Sequence, residues 1–577
     1  MQVQGIDGGG AAAATRLRVG TFVHAHSRWL EGQGQPVFGA QVAAQAFERA
    51  LSRHTRADIE AVFLDLAPER PPAPAGQGRH LRYHSLDDFL RDPSSRRVDA
   101  WFDVAGDVVR AFYLRAQLAG HEYPVTVTHH TMSYQEQALT WFLPLLLAHA
   151  RPYDSIICTS PAAREVIRER LGQMSEGLGK DTGARLGYPG RYDVIPFGVD
   201  TEVFRPRDKA DARRQVGLPP DSTLILWLGR FGIGDKADLL PLIRAFAELR
   251  QPTENPHLRL VLAGSGPGRD VEFFEKYARA LGVRDRVEVL METSPAVRHL
   301  LFAAADIFVS PIDNIQETMG ITPLEAMACG VPQVVSDWDG YREMVRHGET
   351  GFLVDTIWYP CADDLGRRAP LDSGAGSPYP FLDHIKLAQS VAVDPFALHQ
   401  ALRQLVAEPD LRRRFGEASR RRAVQHFSWE VVISRYEALW QELRDIRRAQ
   451  SCTPDVPGLA SLCSSYDQIF GHYPSHLLQH SSTIAATPDA LEVLAGKRLL
   501  PLYEDRAGLL VENISAILSF LAEHDSGATL AEILRREGQR GLPEPAAARH
   551  VLWLIKQGLA RPTVNQDRPA EPAEQGT

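Results

Sequence analysis

The chain has 577 residues, enough for two or three domains and too many for a single core. A formal net charge of −9 supplies no overall basic field for nucleic acid or an anionic membrane, so both are poor default partners, although peripheral membrane contact through a local patch stays open. Five cysteines lack a C-x-x-C pair, the N-terminus lacks a basic segment followed by an apolar one, and no apolar run reaches the roughly 18 residues of a spanning helix, so a reduced, cytoplasmic protein is expected.

Residues 1–16 are rich in Gly and Ala and are expected to form a disordered tail. Leu17 to Ala25 predicts a strand, Gly32, Gly34 and Gly39 punctuate a glycine loop, and Ala40 to Leu51 has a helical pattern. Strand-like runs at Ile59–Leu66, Ala100–Val104, Val125–His129 and Ser155–Thr159 alternate with helical segments, as in a parallel sheet with crossover helices. The expectation is a Rossmann-like first domain over residues 17–198. His129 and His130 stand at the carboxyl end of a strand, where such sheets bind ligands.

A Pro- and Gly-marked crossing, Asp193 to Pro206, leads into a second Rossmann-like domain over residues 199–427. Its strands are expected at Leu224–Leu228, Leu258–Ala263, Val287–Met291, Ile307–Ser310, Pro332–Ser336 and Gly351–Val354. Residues 356–393 are rich in Pro, Gly and Asp without clear periodicity, which points to a surface insertion. The arginine triplets Arg412–Arg414 and Arg420–Arg422 fit a solvated helix face. A long helix over 428–447 returns toward the first domain, and residues 448–485 look like a linker. Residues 486–565 change to short helical patterns with a winged-helix-like outline, followed by a tail over 566–577. From Ser482 onward ten Lys/Arg face thirteen Asp/Glu, so the accessory region lacks a DNA-binding footprint and a protein contact is the better expectation.

The stretch from Ser310 to Val335 holds two glutamates separated by seven residues, Glu317 in a loop after a strand and Glu325 in a following helix. Thr322 as N-cap, Pro323 as first helical residue and Glu325 as the capping-box acid would give Glu325 a local structural role. No such role accounts for Glu317.

Four ordered motifs then carry a resemblance. Gly229-Arg230 with Lys236, Ala263-Gly264-Ser265-Gly266-Pro267, the Glu317-to-Pro332 segment with Glu325 and Gly330, and Gly340-Tyr-Arg-Glu343 with Gly348-Glu-Thr-Gly351 resemble the nucleotide-sugar-binding half of retaining, two-Rossmann (GT-B) glycosyltransferases of family four, the glycosyl transferases group 1. The crossing at Val194–Phe204 and Phe427-Ser-Trp429-Glu extend the similarity to about residues 17–445. The resemblance implies an α/β fold of two Rossmann-like domains facing a cleft, with a small, mainly α C-terminal domain beside them. It implies that Arg230 and Lys236 hold the leaving diphosphate, and that Glu317 contacts the donor sugar beside the backbone of Met319, Gly320 and Ile321. It also implies that Glu325 accepts from the ribose, with Gly229, Gly264 and Thr322 on the donor side.

A histidine of the first domain is expected at the catalytic or acceptor side, His129 as the catalytic residue in preference to His130, which is placed on the acceptor side with the glycine loop of Gly34 and Gly39. Phe197 stands where many relatives have Asn, and Met319 where an aromatic residue is frequent. The implied activity is sugar transfer from a UDP, GDP or ADP type donor, with no cofactor and no metal. Two other functions fit the same motifs: a nucleotide-sugar epimerase or hydrolase, and a non-catalytic sugar-nucleotide sensor acting through the C-terminal region.

Overall fold

The computed structural model describes residues 16–23, 39–63, 80–91, 97–103, 108–118, 122–130, 132–134, 137–147, 150–232, 236–249, 257–291, 293–359, 361, 363–372, 382–450, 469, 472–500, 502 and 509–563. Two compact units form, one of residues 1–65 with 72–460 and one of 66–71 with 461–577.

The first unit holds two parallel sheets. One has seven strands, β1 (Arg18–Val23), β2 (Asp58–Phe63), β3 (Leu81–Ser85), β4 (Ala100–Asp103), β5 (Val125–Thr128), β6 (Ser155–Cys158) and β7 (Arg191–Val194), ordered β3-β2-β1-β4-β5-β6-β7. The other has six, β8 (Thr223–Arg230), β9 (Leu258–Ser265), β10 (Val287–Met291), β11 (Ile307–Ser310), β12 (Gln333–Ser336) and β13 (Gly351–Val354), ordered β10-β9-β8-β11-β12-β13. Each order reverses once, between β1 and β4 and between β8 and β11. Such reversals open a crevice at the carboxyl ends of the strands. The central strands are buried along their length, which is why they read as continuous apolar runs rather than alternating ones.

Two strands escape the sequence reading. β3 lies at a sheet edge, half-buried and polar, and β7 (Arg-Tyr-Asp-Val) carries charge where a core strand would not. Residues 356–393, expected as an irregular insertion, instead contain an antiparallel pair, β14 (Thr356–Trp358) with β15 (Val391–Val393), and helices Asp363–Asp372 and Leu382–Ala388.

The Trp429–Ala449 helix buries Trp429, Val432, Ile433, Tyr436, Leu439, Trp440 and Leu443, one stripe at helical spacing. That stripe lies against the first sheet: Tyr436 packs on Phe47 at 5.0 Å between ring centroids, and the Trp440 indole N–H donates to Thr126 Oγ1 at 3.0 Å. The chain thus returns from the second half to complete the core of the first.

The arginine triplets are a correction. Arg413 pairs with Asp410 on the surface, but Arg420 donates to the carbonyls of Thr201, Phe204 and Ala328, and Arg422 to those of Glu343 and Met344. Arg412 likewise holds the Leu405 and Val406 carbonyls. These guanidiniums close loop and helix ends rather than decorate a solvated face, because a planar fork of donors can satisfy several carbonyls at once.

The second unit has an antiparallel three-stranded sheet, β16 (Thr483–Ala486), β17 (Ala528–Thr529) and β18 (Ala560–Thr563), ordered β17-β16-β18. Helices Val511–Ala522, Leu530–Gln539 and Glu544–Lys556 enclose their own apolar core. Thr529 and Glu532 form a complete capping box at the start of the second of these helices.

Candidate active site

Charged and polar groups converge at the carboxyl ends of β8, β9, β11 and β12. Arg230 is the last residue of β8, and β8 and β9 run in register with Gly229 beside Gly264. A Cβ on Gly264 would overlap the Gly229 carbonyl oxygen, so the two strand ends approach only because that side chain is missing.

Lys236 Nζ lies 2.8 Å from Glu317 Oε2, an ion pair with side-chain exposures of 29% and 12%. The Lys236 carbonyl accepts from the Asn314 side-chain amide, and the Asp238 N–H donates to Asp313 Oδ2 at 3.2 Å. The loop after β11 therefore fixes the segment that carries Lys236. Burial alone would raise the Glu317 carboxyl, but Lys236 and the amides of Met319 and Thr318 outweigh it and hold it below its usual value. Glu317 is thus kept ionised, with Oε1 facing the Thr318 and Met319 N–H groups at 3.3 and 3.5 Å.

The following helix, Ile321–Ala328, corrects the expected cap. Its N-cap is Gly320, at φ +89°, and no side chain caps it. A Cβ at Gly320 would run into the Tyr341 ring, whose hydroxyl shares a 2.9 Å hydrogen bond with Ser310. Thr322 and Pro323 are already inside the helix, so Glu325 sits too far along to reach the cap amide. Its partner is Arg298, from the Pro295–Ala304 helix, at 2.7 Å. Burial nevertheless pushes the Glu325 carboxyl up to about 7, against the pull of Arg298.

From the first half, Ser133 Oγ donates to Gln316 Oε1 at 2.5 Å, and the Phe197 N–H contacts Met319 Sδ at 3.1 Å. The two positions that depart from the family pattern thus touch each other. The histidine pair divides. His129 is buried with its ring stacked on Trp141 at 3.8 Å, whereas His130 lies within the electrostatic reach of Glu317 and meets Phe197 edge to face at 5.6 Å. Burial lowers His130 to about 4, with Glu317 opposing, so this imidazole is neutral near pH 7. Both its ring nitrogens are shielded and without a hydrogen-bond partner among the described residues.

Lys236, Glu317, Met319, Gly320 and His130 are therefore gathered, with Ile321 and Thr322 opening the helix beside them and Arg230 at the end of the Thr223–Arg230 strand. Gly34 lies outside the described residues, and Gly39 begins the Gly39–His54 helix. Sequence reasoning missed Asp339, which follows β12 at φ +36° and feels both Glu317 and Lys236. Its only signal was the Asp-Gly dipeptide, a turn mark. Arg298 gave none, since its pairing depends on how two helices pack.

The family model for glycosyl transferases group 1 matches residues 208–357. A D-inositol 3-phosphate glycosyltransferase of Frankia alni is 38% identical over 351 residues, covering 55% of this chain and 82% of that protein. The chain belongs to the glycosyl transferases group 1. The group 1 relative from Stackebrandtia nassauensis, also a D-inositol 3-phosphate glycosyltransferase, is 38% identical over 34% of this chain, and the match spans 45% of that protein's length. Among solved structures, a sucrose-phosphate synthase from Thermosynechococcus elongatus aligns with a TM-score of 0.49 and 20% identity, covering 75% of this chain and 100% of that one. The two parallel sheets and the facing loops described above are the architecture expected of a group 1 transferase.

Proposed function

We propose that the chain is a retaining glycosyltransferase that moves a sugar from a UDP, GDP or ADP type nucleotide-sugar to a hydroxyl acceptor. The observation that carries this is the Lys236–Glu317 pair at adjoining strand ends, with neutral His130 on the facing side. The matches to glycosyltransferases support the reaction class.

In this proposal the bond between the sugar's anomeric carbon and the diphosphate oxygen breaks while the acceptor oxygen bonds the same face. The acceptor proton passes to the leaving phosphate oxygen. Arg230 and Lys236 hold the charge that develops on the diphosphate, where fixed cations act most strongly. The N–H groups opening the Ile321–Ala328 helix add the positive end of its dipole. Glu317 accepts from the sugar hydroxyls, and Glu325 from the ribose. His130, uncharged, accepts from a hydroxyl at the acceptor side without adding a cation that would compete for the diphosphate.

Lys236→Ala should abolish both transfer and donor hydrolysis while circular dichroism stays that of the wild type. Wild-type turnover with an unchanged donor constant would overturn the assignment. A thermal-shift series with nucleotide-sugars identifies the donor, because a ligand at 100 times its Kd stabilises the folded state by roughly 2.7 kcal/mol.

A further inference from the structure

At the amino ends of β4 and β5, on the sheet edge opposite the one that carries His129 and His130, a cavity of about 200 Å³ is lined by Arg97, Arg444, Arg447 and Arg448 together with Asp99 and Glu122. This volume is several times the roughly 30 Å³ that a water occupies in the liquid. Four guanidiniums thus face two carboxylates, and both carboxylates are already engaged. Asp99 accepts from the Arg18 N–H at 3.0 Å and from Arg448 at 3.1 Å. Glu122 accepts from the Tyr153 hydroxyl at 2.7 Å and lies 3.8 Å from Arg151 and 4.0 Å from Arg115, cations on other elements.

The remaining arginines are under-supplied. Arg444, 19% exposed, has among the described residues only its chain neighbour Asp445, at 3.2 Å. Arg97 and Arg447 have no hydrogen-bond or ion-pair partner among the described residues, and the Nε of half-buried Arg447 is closed to solvent. A shielded donor without an acceptor is destabilising, because it has lost its water and gained no partner. The end of the Trp429–Ala449 helix favours cations, which accounts for basic residues at 447 and 448. It does not account for Arg97, from a different part of the chain, converging on the same concavity.

We propose that this cavity is a binding site for a phosphate group, separate from the donor site. Guanidinium forks match phosphate oxygens two at a time, and a phosphate supplies the acceptors that Arg97, Arg444 and Arg447 lack. The phosphate belongs either to a soluble phosphorylated compound or to a lipid headgroup, and the chemistry of capture is the same.

The test uses the full chain carrying Lys236→Ala and Arg230→Ala, so that both cations assigned to the diphosphate at the donor site are removed, with and without Arg97→Gln and Arg447→Gln. Inorganic pyrophosphate is titrated calorimetrically at constant ionic strength, and co-sedimentation is measured with phosphatidylcholine vesicles with or without phosphatidylglycerol. The double substitution should weaken binding at least tenfold with an unchanged melting curve; the exposed Arg97→Gln alone should weaken it measurably. Loss in the pyrophosphate arm assigns a soluble ligand, and loss only in the anionic-vesicle arm assigns a lipid headgroup. Binding that is unchanged by the substitutions, or absent in both arms, overturns the proposal.

Discussion

Lys236 and Glu317 satisfy one another, so removing one leaves the other as an unmatched charge in a mostly buried place. Breaking a buried pair from one side costs about 3–5 kcal/mol, and partial exposure reduces that here to roughly 1–3 kcal/mol. Urea unfolding should therefore show Lys236→Ala to be less stable than the double variant Lys236→Ala with Glu317→Gln. His130 makes a pH prediction. Its folded value of about 4 lies below the ordinary 6.5, so between those values the unfolded chain binds more protons than the folded one. Stability is then intact above pH 6.5 and falls as pH drops through about 4. His130→Phe should flatten that acid limb by roughly 1–3 kcal/mol, read from denaturant midpoints between pH 7 and pH 4. At this scale the sequence singled out Glu317 as a loop carboxylate, and the structure places it in that loop, paired with Lys236 and facing the Thr318 and Met319 amides. It favoured His129, whereas His130 is the one that feels Glu317 and His129 stacks on Trp141, because consecutive residues at a strand end point to opposite sides and only packing decides which side is the core.

At the scale of elements, the start of the Ile321–Ala328 helix separates what local signals can and cannot say. Thr-Pro-x-Glu is a good capping pattern, but Gly320 begins the helix two residues before Pro323 would, so the pattern slides inside it. Thr322→Ala should change the melting temperature very little, whereas Thr529→Ala, which removes an observed capping box, should cost about 1 kcal/mol. Gly320→Ala should cost more than either, roughly 2 kcal/mol or above, since it combines a left-handed φ with an overlap on Tyr341. The parallel strands were legible because continuous apolar runs between turn residues have few other readings. β3 and β7 were not, because edge strands need no apolar run, and the elements within residues 356–393 were hidden by a composition that favours turns.

At the scale of the molecule, two Rossmann-like halves were readable from the restart of the strand–helix pattern at Leu224. The extent to which one half depends on the other was not. The Trp429–Ala449 helix belongs by sequence to the second half and by packing to the first, where Trp440 is fully buried between Phe102 and Tyr436. Trp440→Ala should cost about 3–5 kcal/mol and, in hydrogen exchange, deprotect β4 and β5 before β8 and β11.

The ion pair between Lys236 and Glu317 also bears on what the site admits. Under the proposed roles, each partner is the other's stand-in for a piece of the donor: the ammonium occupies the place of the sugar hydroxyls, and the carboxylate that of the diphosphate. A molecule that offers only one of those pieces must break the pair and leave a charge stranded. A complete nucleotide-sugar replaces both at once. On those roles the pair discriminates by wholeness, discounting free sugars and stray phosphates before any shape is compared.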